Sequence, residues 1–229
     1  MNGRRLLRGL ALAAWALFFW WLAIWDEMTR YLGPRTYWVA WFGAIVLTGA
    51  AAAHIVTLRT GGRQRVTRGD IGGVVLILVP ILVVAAVPSA GLGALAAARK
   101  SSGGGVGSIT VPRPAARSGE IGFSEIYYAS QSSEYAQAVG IVDGTTVDLT
   151  GFVTHPKGEP PGTFSLTRFY ISCCAADAVP YSVVVHWRDG PPEDQWLRIG
   201  GTLASTEDGF EVTAERVTDV PEPKNPYLY

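Results

Sequence analysis

From Tyr37 to Leu58 the chain runs 22 residues, "YWVAWFGAIVLTGAAAAHIVTL", without a formal charge. A helix that crosses a bilayer needs about 20 such residues. Two further runs flank this one. "GLALAAWALFFWWLAIW" covers Gly9 to Trp25, and "IGGVVLILVPILVVAAVPSAGLGALAAA" covers Ile71 to Ala98. Together they predict a transmembrane domain over 1–98, with helices at about 9–25, 37–58 and 71–90. The first run follows Arg4, Arg5 and Arg8, as the apolar part of a signal peptide also would. It is bulky, however, with four tryptophans, and no small-x-small cleavage site follows it. A retained helix is the reading adopted. Tyr37, Trp38 and Trp41 open the second run as aromatics do at a membrane interface. Pro80 lies inside the third, where neighbours can satisfy the freed carbonyl. His54 is polar within the second run, which makes it either a functional group or an interfacial one.

Orientation follows from basic residues in the short flanks. Arg4, Arg5 and Arg8 precede the first run, and Arg59, Arg63, Arg65 and Arg68 separate the second from the third. The intervening loop holds only Arg30 and Arg35. The count predicts a multi-pass cell-membrane protein with a cytoplasmic N-terminus. Three crossings then put the C-terminal domain outside the cytoplasm, although Arg99 and Lys100 argue against that side.

Residues 99–120 are rich in Gly, Ser and Pro and predict a flexible linker. Residues 121–229 read as a separate β-domain. An amphipathic helix is expected from about Gly122 to Ala138. Period-two stretches follow: "TTVDLTGFVTH", "GTFSLTRFYISCC", "YSVVVHW", "QWLRIGGTLAS" and "GFEVTAERVTDV". The second alternates less cleanly than the rest. Five short strands separated by turn signals predict a small five-stranded OB-like β-barrel with one preceding helix. Gly151 and Gly200–Gly201 suit bends or bulges at its corners. The fold class is thus membrane α plus soluble β. Formal net charge is zero, and the strands lack a basic and aromatic face, so nucleic acid is not an expected partner.

The only two cysteines, Cys173 and Cys174, are adjacent, near the end of the second strand. Neighbours on a regular strand point to opposite faces, but the chain must turn before "AADAVP". A turn could gather both sulfurs and Asp177, with His155 or His186 completing a metal site. Such donors suit zinc or copper. Two other readings stand beside this one: a buried cysteine with Asp177 capping the turn, and a vicinal disulfide in an oxidising compartment. No catalytic signature, phosphate loop or dinucleotide fingerprint is present, so no enzyme activity is expected.

The segments "YLGPR", "VPSAGLGALAAARK", "GFVTHP", "TRFYISCCAADAVPYSVVV", "WLRIGGTL" and "PKNPYLY" together resemble the YcgQ-like bacterial membrane family of permease subunits. The most specific of them is "R-F-x-I-x-C-C-A-A-D-A-x-P". The resemblance implies an accessory role beside a polytopic YcgR-like permease, and a connection to zinc. The alternative from another class is a stand-alone, membrane-anchored metal-binding or sensing module.

Overall fold

The structure, a computed structural model, describes residues 3–25, 27–57, 66–86, 91–102 and 121–229. The chain divides into two units, Met1–Ala90 and Gly91–Tyr229.

Among its described residues the first unit has three helices long and apolar enough to cross a membrane: α1 (Gly3–Ile24), α2 (Tyr37–Thr57) and α3 (Arg68–Ala86). They fall on the three expected runs, although α1 starts early enough to include its arginines. Helix α1 packs against both others. The small residues of α2 serve that contact. Ala40 and Ala44 are fully buried, and a Cβ on Gly43 would sit 3.1 Å from the Phe19 ring. Tryptophan N–H groups add polar ties: Trp20 donates to the Thr48 hydroxyl at 3.0 Å, and Trp15 to the Ile77 carbonyl at 3.2 Å. Arg4 pairs with Asp70 at 2.6 Å, so the starts of α1 and α3 lie together. His54 Nε2 lies 3.0 Å from the Arg5 carbonyl oxygen. That contact near the helix ends satisfies the imidazole and accounts for its presence in an apolar run. Arg59, Arg63 and Arg65 of the basic loop lie outside the described residues.

The second unit is a closed barrel of β1 (Thr146–Thr154), β2 (Thr163–Tyr170), β3 (Val179–His186), β4 (Trp196–Thr206) and β5 (Gly209–Asp219). Each strand matches one of the five alternating stretches. Around the ring the order is β1-β2-β3-β5-β4 and back to β1. All pairs are antiparallel except β3 with β5, where Val185 faces Val212. This is an OB-like barrel. Its interior is filled by Phe164, Leu166, Val185, Ile199, Leu203 and Val212, each at most 1% exposed. Closure needs close backbone approach at two glycines. A Cβ on Gly151 would sit 2.7 Å from the Thr167 carbonyl oxygen, and one on Gly201 would run into the backbone of Thr213. The β4–β5 register shifts between Gly200 and Gly201, which is the expected bulge.

The preceding helix is not continuous. It is two helices, α5 (Phe123–Gln131) and α6 (Ser133–Val139), which share Ser132 as a junction. Ser132 is extended, and its hydroxyl accepts the Tyr135 N–H at 3.2 Å. A serine that offers the backbone this bond favours a new helix start over continuation. Phe123, Ile126, Ala129, Tyr135 and Ala136 pack on the barrel core.

Residues 94–102 differ from expectation. Composition assigns 94–98 to the tail of the third span and 99–102 to the start of the linker, but these residues form a helix, α4 (Ala94–Ser102), on the outside of the barrel. Ala94 and Ala97 pack with Phe152, Phe169, Ile171, Ala178 and Tyr227. This second core explains the imperfect alternation of β2, whose residues are covered on both faces. The rest of the linker, 103–120, lies outside the described residues. A short strand, β6 (Tyr227–Leu228), runs parallel to the end of β2.

Helix α4 starts at a carboxylate. Asp194 accepts the Ala94 N–H and has a left-handed backbone, φ 65°. Asp194→Ala removes the cap, worth about 1 kcal/mol, together with the short polar side chain that lets aspartate visit the left-handed region more readily than alanine. Hydrogen exchange should show the amides of 96–102 losing protection while the β4–β5 amides keep theirs. Unchanged protection in α4 would refute this account of its docking.

Candidate metal centre

Strand β2 ends at Tyr170, and the chain bends at Ser172 and Cys173 before a single 3-10 turn, Ala175–Asp177. The turn is tied by the Asp177 N–H to the Cys174 carbonyl at 3.0 Å. The Asp177 side chain folds back over it. Its carboxylate accepts the N–H groups of Cys173 at 2.8 Å and of Ser172 and Cys174 at 3.3 Å each. Three successive backbone donors beyond the end of β2 thus converge on one carboxylate. This is the turn-capping role expected of an aspartate here.

The same wrap brings the sulfurs together. Cys173 Sγ and Cys174 Sγ stand 3.8 Å apart, and one ligand atom from each of Cys173, Cys174 and Asp177 lies within 4.8 Å of the others. Neither cysteine is buried and neither is in a disulfide. The bend lifts the restriction that regular strand geometry imposes, so the capping and the ligand-gathering readings describe one arrangement. Two sulfurs on a tetrahedral zinc, each about 2.3 Å from the ion, would be about 3.8 Å apart, so the thiols already have that spacing.

The electrostatics follow from the carboxylate. The Cys173 thiol is pushed up to about 11, first by its hydrogen bond to Asp177, then by the neighbouring Cys174. Partial burial pushes the Asp177 carboxyl upward, but the hydrogen bonds from the Cys173 thiol and the three backbone donors outweigh it and leave the group below its usual range. At neutral pH, Asp177 is therefore ionised and Cys173 is protonated. A bound cation would displace that proton, since a coordinating thiol is deprotonated outright.

The histidines are elsewhere. His186 is paired with Thr163 at the start of β2, while Val179 is paired with Tyr170 at its end. Seven residues of strand separate the two ends, roughly 23 Å at 3.3 Å per residue. His155 follows Thr154, which faces Ser165 near the same far end. His155 contacts Glu159 and the Pro191 carbonyl, and borders a cavity of about 710 Å³ under α4. His186 contacts Glu211. Among the described residues, the metal-capable group comprises Cys173, Cys174 and Asp177 without either histidine.

Other motif residues support the site. Arg168 is half-buried and donates to the carbonyls of Asn225 at 2.7 Å and Pro226 at 3.3 Å. It thereby holds the C-terminal tail against β2. The Ile171 N–H donates to Leu228, and Lys100 of α4 donates to the Ala176 carbonyl at 2.9 Å. Sequence reasoning missed these supports. The pairing of an arginine with a distant proline-rich tail leaves no local signal.

Residues 109–229 match the DUF1980 C-terminal domain. The chain belongs to this family. None of the curated proteins compared matches it. Membership in the DUF1980 family covers the whole barrel and the dithiol turn; function has to be argued from the site.

The carboxylate makes a testable demand. In a Cys174→Ser background, alkylation of Cys173 by iodoacetamide, followed by peptide mass spectrometry, should be slow at pH 7 and should accelerate as the pH becomes alkaline. Asp177→Asn removes the negative charge, favours the thiolate and should speed the reaction at neutral pH. Equal neutral-pH rates in the two proteins would contradict the coupling.

Proposed function

We propose that this chain is a membrane-anchored accessory subunit of a transport complex, whose OB-like domain binds a metal ion, zinc first, through Cys173, Cys174 and Asp177. The carrying observation is the convergence of two thiols and a carboxylate within 4.8 Å on one short turn. Two sulfur donors favour a thiophilic or borderline ion over magnesium or calcium. The 3.8 Å spacing of the sulfurs suits a tetrahedral ion. A linear two-coordinate ion would hold them further apart, at twice the metal–sulfur distance.

A nucleophile and a metal ligand must both be the thiolate, so the raised Cys173 thiol calls for something that displaces its proton, and a coordinated cation does so outright. The transport role is supported by the three apolar helices and by the resemblance to YcgQ-like proteins. That resemblance names a polytopic YcgR-like permease as the partner. The excess of arginines before the first span and between the second and third supports a cytoplasmic N-terminus and a domain outside the cytoplasm.

Full-length protein purified under reducing conditions in mild detergent should bind one zinc per chain, by elemental analysis and competition titration. The Cys173→Ser/Cys174→Ser variant should lose at least tenfold in affinity. Equal binding by the two proteins would remove the cysteine site from the account. The same preparation, made at native expression, should carry a stoichiometric polytopic partner. Its repeated absence would favour a stand-alone sensing module.

A further inference from the structure

The turn offers an ion few donors. It has two thiols and one carboxylate, and the carboxylate is already engaged. An ionised carboxylate has about four lone-pair sites, and the N–H groups of Ser172, Cys173 and Cys174 occupy three of them. One carboxylate position remains at most. Among the described residues the metal-capable group ends with these three, and both Cys173 and Asp177 are exposed, so an ion held between them would be within reach from solvent. Structural zinc sites close with four protein ligands, whereas sites that act on something else keep a position open.

From this we infer that the dithiol turn is a handover site, where a metal ion is passed to or from a partner's ligands. The inference rests on the metal-binding reading above. Its chemistry is ligand exchange without redox change. An incoming thiolate or imidazole forms its bond to the ion at the open position. A bond from Cys173 then breaks, and the released thiolate takes a proton from water. Asp177 keeps its three N–H bonds throughout, so the emptied turn holds its shape for the next ion. The partner is identified by chemistry: it presents a cysteine or histidine side chain that can reach an exposed turn. The preferred cargo is a tetrahedral dication, for the sulfur spacing already given.

Two measurements on the full chain in detergent test this. With zinc bound, release to 4-(2-pyridylazo)resorcinol is followed by stopped flow over a tenfold range of chelator. A handover site predicts a rate that rises about tenfold across the range, because the chelator enters before the cysteines leave. With cobalt(II) as a spectroscopic stand-in, added imidazole should shift the visible absorption bands while the ion stays bound. If the ion binds but the release rate ignores chelator concentration and imidazole leaves the spectrum unmoved, the site is closed. Handover is then wrong while metal binding stands. If neither ion binds at all, both readings fall together.

Discussion

One carboxylate organises the dithiol turn of this domain. At the end of β2 the chain leaves the sheet at a bend. Asp177 supplies an acceptor to three consecutive N–H groups there. Without it, the two cysteines would be free to diverge. With it, adjacent residues that would point to opposite faces of a strand present their sulfurs side by side. The same negative charge keeps Cys173 protonated until something more positive than a proton arrives.

The barrel fixes the place where this happens. Strand β2 is buried on both faces, by the interior core and by the outer cluster under α4. Its end is pinned further by Arg168, by the parallel strand β6 and by Lys100 reaching Ala176. The turn is therefore an exposed feature on a rigid support, an arrangement that can hold donor atoms at a set spacing while leaving them accessible.

The barrel was largely legible in the sequence because period-two alternation is a local signal. The stretches containing Val147 and Leu149, Val183 and Val185, and Leu197 and Ile199 each became a strand at its expected place. The glycine pair 200–201 became the bulge. The gathering of Cys173, Cys174 and Asp177 was also within reach, since all three lie in five consecutive residues. Longer-range features were not. The placement of His155 and His186 at the other end of the barrel depends on strand register, which spacing alone does not reveal. Helix α4 was hidden by composition. Its apolar face is made of alanines that read as the continuation of a membrane run, and its partners Phe152, Phe169 and Tyr227 are more than fifty residues away. Ser132 was a helix-start signal in plain view, overridden by the apolar spacing on either side of it.

The central claim is that the two thiols of this turn hold a metal ion together. X-ray absorption at the zinc edge, on zinc-loaded full-length protein, tests it most directly. The account predicts two sulfur neighbours at about 2.3 Å, with oxygen or nitrogen atoms completing the sphere. A first shell of nitrogen and oxygen alone would contradict it.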